Sequence, residues 1–123
     1  MAKTLNDFVS EALLTVREIE PGQLADLTDT LILDVREPEE YGAGHVPGSI
    51  NIPRGFLEVK ADHSHPKKDD RLQDRNLKIA CLCGGGHRSA LAAKTLMEMG
   101  FRDVLSVKGG WAAYCESNLP TES

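Results

Sequence analysis

Leu77-Lys78-Ile79-Ala80-Cys81-Leu82, followed by Cys83-Gly84-Gly85-Gly86-His87-Arg88-Ser89, passes from an apolar run through three glycines into the start of a helix. The apolar run is short and continuous, as a strand buried on both faces of a parallel sheet reads. Beyond the glycines, helical spacing holds from about Arg88 to Met99, and Gly100 supplies a C-terminal cap. Downstream, Asp103 to Val107 reads as another strand, and Gly109-Gly110 turns the chain into a last helix reaching about Ser117. Upstream, Leu31-Ile32-Leu33-Asp34-Val35 has the same buried-strand character. Pro38 opens a short helix at Glu39 to Tyr41, and Gly42, Gly44, Pro47 and Gly48 force turns before a brief strand at Ser49 to Ile52.

Apolar residues at Leu5, Phe8, Val9, Ala12, Leu13 and Val16 recur at helical spacing, so the N-terminus reads as an amphipathic helix. Pro21 fits the first turn of a short helix through Leu27, where its missing N–H costs nothing. From Pro53 to Asn76 the pattern weakens to one helical turn around Phe56 to Val59 and a long surface excursion. Strands alternating with helices give an α/β fold, a central parallel sheet flanked by helices on both faces. The expected organisation is a single domain over 1–123, with the helix in 1–18 packed on it.

A formal net charge of -5 argues against general nucleic-acid binding, which depends on neutralising phosphates. The mixed charges between Lys60 and Lys78 read as a solvated loop. No apolar run approaches a membrane span. Asp7 and Glu11 interrupt any signal-peptide core, and a cytoplasmic location is expected. Three cysteines make no disulfide framework, and Cys81 and Cys83 do not form a metal-binding pair of pairs. His63 and His65 lack a third ligand nearby and read as surface histidines; no metal site is expected.

The chemistry concentrates on Cys83. Ligands of such sheets sit beyond the carboxyl ends of strands, and Cys83 stands at one. Glycines 84 to 86 let successive N–H groups form an anion-binding concavity, a helix N-terminus adds partial positive charge, and Arg88 adds a cation. Surroundings of this kind favour the thiolate, the nucleophilic form of cysteine. Cys81 and Cys115, without such company, read as core residues. Two nucleotide readings fit less well. Gly84-x-Gly86-x-x-Ser89 ends in Ser where a dinucleotide fingerprint has a third Gly or Ala, and a phosphate loop needs Gly-Lys-Ser/Thr.

Four ordered motifs together resemble the single-domain rhodanese (thiosulfate sulfurtransferase) family, over nearly the whole chain. They are Leu33-Asp34-Val35-Arg36-Glu37-Pro38-Glu39-Glu40-Tyr41, then Gly44-His45-Val46-Pro47-Gly48-Ser49-Ile50-Asn51-Ile52-Pro53, Cys83-x-x-Gly86-x-Arg88-Ser89, and Val107-x-Gly109-Gly110-Trp111. The resemblance implies a rhodanese-like fold and a sulfurtransferase working through a Cys83 persulfide. It implies donor binding by Gly84, Gly85, Gly86, His87, Arg88 and Ser89, and no metal or organic cofactor. The partners implied are a small sulfur donor such as thiosulfate and a thiol, cyanide or protein acceptor.

Four residues separate Cys83 from Arg88. Cysteine phosphatases and rhodanese-like arsenate reductases have five, so the shorter loop fits a sulfur atom better than a tetrahedral oxyanion. A non-enzymatic sulfur carrier or sulfide sensor is the alternative, motivated by the 53–76 excursion. Asp34 and Arg36 are expected to brace the loop as an ion pair, His45 to fix a turn and Trp111 to lie in the core. His87 is expected either to tune the thiolate or donor entry, or simply to face solvent.

Overall fold

Five parallel strands form one sheet in the computed structural model, which describes residues 1–123. They are β1 (Arg17–Ile19), β2 (Thr30–Asp34), β3 (Ile50–Asn51), β4 (Lys78–Leu82) and β5 (Asp103–Val107), in the order β1-β5-β4-β2-β3. β4 is therefore central, with β2 and β5 as neighbours: Leu33 pairs with Cys81, and Cys81 with Ser106. Every pairing is parallel, as the continuous apolar runs demand. β1 is the element that sequence pattern does not reveal. It is a three-residue edge strand whose Arg17 and Glu18 mask the apolar signal, and it pairs Ile19 with Val107.

The helices are α1 (Leu5–Leu13), α2 (Pro38–Ala43), α3 (Leu57–Ala61), α4 (His87–Glu98) and α5 (Gly110–Glu116). Side chains alternate across β4 and β5, so the sheet buries two cores. On one face Cys81, Cys83 and Val104 pack with Ala92, Ala93 and Leu96 of α4 and Leu57 of α3. On the other, Ala80, Leu82, Leu105 and Val107 meet Tyr114 of α5 and Leu24 of the 3-10 turn Pro21–Asp26. Helical structure thus covers both faces, as the alternation of elements predicts.

α1 starts at a reciprocal cap. Thr4 Oγ1 accepts from the Asp7 N–H at 3.1 Å, and Asp7 Oδ2 accepts from the Thr4 N–H at 2.8 Å. Its Val9 and Ala12 pack on Ala90 of α4, while Leu5, Phe8 and Leu13 stay exposed. No helix is long and apolar enough to cross a membrane.

The 53–76 stretch departs from the expected excursion. Leu57, Ala61 and Leu72 are completely buried. Arg75 holds the return by donating to the carbonyls of Ala61, Leu72, Gln73 and Met99 while lying over the Phe101 ring. Leu57 and Ala61 are one helical turn apart, but Leu72 and Arg75 follow only after a long polar stretch without a period, which is why the segment reads as surface.

Candidate active site

The carboxyl ends of β2, β4 and β5 converge on one loop. From β4 come Cys83 to Gly86, and α4 begins at His87 with Gly86 as its N-cap. The Gly86 N–H donates to Cys83 Sγ at 3.1 Å, and Sγ lies 3.3 Å from Ser89 Oγ. The backbone N–H groups of Gly84, Gly85, His87, Arg88 and Ser89 make no hydrogen bond within the chain. Those on α4 are the donors that every helix leaves unpaired in its first turn. The Cys83 sulfur thus accepts the Gly86 N–H at the positive end of a helix whose first N–H groups are unpaired.

The three glycines are not equivalent. Gly86 has φ of +104° and its missing Cβ would lie 3.2 Å from the Gly109 nitrogen, so both conformation and space require glycine. Gly85 has open space around it, and a Cβ on Gly84 would meet only side-chain ends, the Arg88 guanidinium at 2.8 Å and Glu40 Oε2 at 3.8 Å. Cys83 is completely buried, whereas Gly85 is exposed and Gly84 half-buried. Access to the sulfur therefore runs through the mouth of the loop. Neither of two surface hollows, about 220 and 250 Å³, touches it.

Arg88 does not stand free beside the sulfur, as the sequence suggests. It forms a two-pronged pair with Glu40 of α2, at 2.7 and 3.1 Å. The Arg88 hydrogen bond, and then the Glu37 N–H, hold the Glu40 carboxyl down to about 2, and the pair raises Arg88 in turn. The loop's permanent cation is thus largely neutralised, and the backbone donors and helix end carry the positive potential at Cys83. His87 is exposed, and its side chain makes no hydrogen bond.

Beneath this clamp, Arg36 and Asp34 form a buried ion pair at 2.8 Å. Arg36 also donates to the carbonyls of Glu40 and Gly44 and lies 4.8 Å from the centre of the Trp111 ring. The expected brace is present, and it reaches the loop through α2. Trp111 is only half-buried, since its ring also covers Gly44. His45 fixes its turn by an Nδ1 contact of 2.8 Å to the Tyr41 carbonyl and by stacking on the Tyr41 ring.

The β5 end completes the frame. Gly109 and Gly110 both have positive φ, 72° and 58°. They bring α5 so close that the Trp111 N–H donates to the Cys83 carbonyl at 2.6 Å and Ala112 to Gly84 at 3.2 Å. Cys81 is a core thiol, pushed up to about 12 by burial. Cys115, expected in the core, is exposed because it faces outward on α5.

Sequence reasoning missed two contributors. Glu40 lies inside a quoted motif, but its partner is 48 positions away and no local spacing announces the pair. Ser106 is a hydroxyl among the apolar Val104, Leu105 and Val107 of β5, and that interruption is its only signal.

The chain is 38% identical over 89 residues to the putative sulfur carrier protein YrkF of Bacillus subtilis, covering 72% of this chain and 43% of that protein, so it spans less than half of that relative. It is 36% identical over 103 residues to thiosulfate sulfurtransferase 16, chloroplastic, of Arabidopsis thaliana, covering 74% and 78%. A solved protein from Rhodopseudomonas palustris, described as of unknown function and a possible tyrosine phosphatase, superposes with a TM-score of 0.91 at 30% identity, covering 99% of this chain and 96% of that one. The family model for a rhodanese-like domain matches residues 20–117, and with the parallel sheet and the Cys83 loop in place, the chain belongs to the rhodanese-like family.

Proposed function

We propose that the protein is a sulfurtransferase that takes sulfane sulfur from a donor such as thiosulfate onto Cys83 and passes it to a thiophilic acceptor. The observation that carries this reading is a Cys83 sulfur that already accepts the Gly86 N–H, on a loop and first helical turn whose other N–H groups are unpaired. The Cys83 thiolate attacks the outer sulfur of the donor, forming a new S–S bond. The donor's own S–S bond breaks, and its electron pair leaves with sulfite. The outer sulfur of the resulting persulfide bears the negative charge, which the free donors of Gly84, Gly85, His87, Arg88 and Ser89 are available to receive. A small thiol, cyanide or a protein nucleophile then attacks that outer sulfur, and Cys83 departs as thiolate. The steps use no metal or organic cofactor. The unit is taken to be the whole of 1–123 as one domain, working in the cytoplasm, with α1 packed on α4.

A donor-by-acceptor kinetic matrix on the wild type and Cys83→Ser tests the proposal. Turnover with at least one pair, abolished in Cys83→Ser, is expected; turnover surviving that substitution contradicts it. A second reading, sulfur carriage to a specific protein, is favoured by the side-chain-free mouth at Gly84-Gly85, which leaves room for a bulky acceptor. Fast transfer to one protein with slow transfer to small thiols distinguishes it. Phosphatase or arsenate reductase chemistry is disfavoured because Arg88 is engaged by Glu40 rather than free for a tetrahedral oxyanion. Activity toward aryl phosphate or arsenate would reverse that preference.

A further inference from the structure

Ser106 stands where the strand pattern calls for an apolar residue. On β5, Val104 and Ser106 share the face toward α4, while Leu105 and Val107 join the opposite core. Ser106 is completely buried, and its cross-strand neighbour is Cys81. A buried hydroxyl is tolerated only when it is hydrogen-bonded. The one hydrogen bond of this side chain goes to Ser89 Oγ, at 2.9 Å. Ser89 is also completely buried, and its Oγ lies 3.3 Å from Cys83 Sγ and 3.2 Å from the Gly86 carbonyl.

The protons around Ser89 can be counted. Its oxygen has three neighbours but carries one hydrogen. With Cys83 as thiol, the S–H and the Ser106 O–H both point at Ser89, whose own hydrogen goes to the Gly86 carbonyl. When the thiol loses its proton, Ser106 keeps donating, so Ser89 cannot turn its hydrogen toward β5. That hydrogen then has two acceptors, the Gly86 carbonyl and the charged sulfur, and hydrogen bonds to a charged acceptor are the stronger. The Gly86 carbonyl is not left bare, because the Ala90 N–H already donates to it at 3.3 Å. An oxygen that accepts a hydrogen bond is also a better donor through its own O–H.

We propose that Ser106 is a positioning residue for the nucleophile: through Ser89 it directs a second hydrogen bond, beside that of the Gly86 N–H, onto the Cys83 thiolate. Ser106 itself makes no hydrogen bond to the sulfur. The inference rests on Cys83 being the reactive thiol, and its test needs no sulfur transfer, so the two can fail separately.

The test is the pH profile of Cys83 alkylation by iodoacetamide, read by mass spectrometry on the Cys83 peptide so that Cys115 does not contribute. In Ser106→Ala the profile should move to higher pH, and the rate at neutral pH should fall about two- to tenfold, the factor that one modest hydrogen bond corresponds to. Ser106→Thr, which keeps the hydroxyl, should return the profile toward wild type. If Ser106→Ala does not fold, Ser106→Cys fills nearly the same space with a weak donor and should show the same upward movement. A purely structural tie between β5 and α4 predicts a lower unfolding midpoint with an unchanged profile, and that result overturns the proposal. A profile that moves equally in Ser106→Ala and Ser106→Thr overturns it as well.

Discussion

Replacing Gly110 with alanine should loosen the Cys83 loop although the residue lies outside it. Gly110 has φ of +58°, and a Cβ there would sit 2.9 Å from the carbonyl carbons of both Cys83 and Gly84, closer to the Cys83 oxygen still. These are backbone atoms, so no flexible side chain can move aside. A left-handed residue with a Cβ costs about 1–2 kcal/mol. If α5 withdraws to relieve the contact, it gives up the Trp111 bond to Cys83 and the Ala112 bond to Gly84, worth about 0.5–1.5 kcal/mol each. Together the loss is about 2–5 kcal/mol, a large share of the ~5–15 kcal/mol that holds a typical domain. Urea unfolding followed by circular dichroism should show a lower midpoint at unchanged slope. Persulfide formation at Cys83 should slow under conditions where the variant remains folded, because the loop has lost its support from α5. Gly85→Ala is the control, since Gly85 has nothing within 4 Å and no positive φ. It should be neutral, or stabilised by a few tenths of a kcal/mol through the unfolded chain, about 0.4–1 kcal/mol at most. If Gly110→Ala matched Gly85→Ala in stability and formed persulfide as fast as wild type, the reasoning about α5 would be refuted.

Removing Asp34 strands the buried Arg36 guanidinium, so Asp34→Ala should cost about 3–5 kcal/mol in chemical denaturation; a loss under about 1 kcal/mol would contradict a closed buried pair. The Glu40 carboxyl, held at about 2 against an ordinary 4.5, contributes stability that is full above pH 4.5 and lost as pH falls toward 2. At pH 7 Glu40→Gln should cost only about 1 kcal/mol or less, because the two side chains are 37% and 39% exposed, and the gap from wild type should close between pH 4.5 and 2. A gap independent of pH would count against the ion pair as its source. Cys81, pushed up to about 12, should stay unalkylated at pH 8 in the native protein while Cys115 reacts, and peptide mapping would expose the opposite order.

Much of this site can be read in the sequence because its parts are local. Cys83, Gly86 and Ser89 fall within seven consecutive residues, and the strand, glycine turn and helix that hold them are adjacent in the chain. Asp34 and Arg36 are two positions apart, so their pairing is legible as well. What escapes are contacts between distant segments. The Glu40 clamp on Arg88 joins the segment after β2 to the loop, and the Gly110 approach to Cys83 and the Ser106 bond to Ser89 join the end of β5 to it. The same holds for the fold. β1 exists because Ile19 pairs with Val107 across the sheet, and the 53–76 segment is ordered by Leu72 and Arg75 reaching back to the core. Neither produces a period that a reading of neighbours can detect.

The central claim is that Cys83 carries the sulfur. Incubation with thiosulfate or with a polysulfide, followed by intact mass under non-reducing conditions, measures it directly. A gain of one sulfur atom is expected on the wild type, mapped to the Cys83 peptide, removed by cyanide or a small thiol and absent from Cys83→Ser. No adduct with either donor, or an adduct that persists in Cys83→Ser, would contradict it.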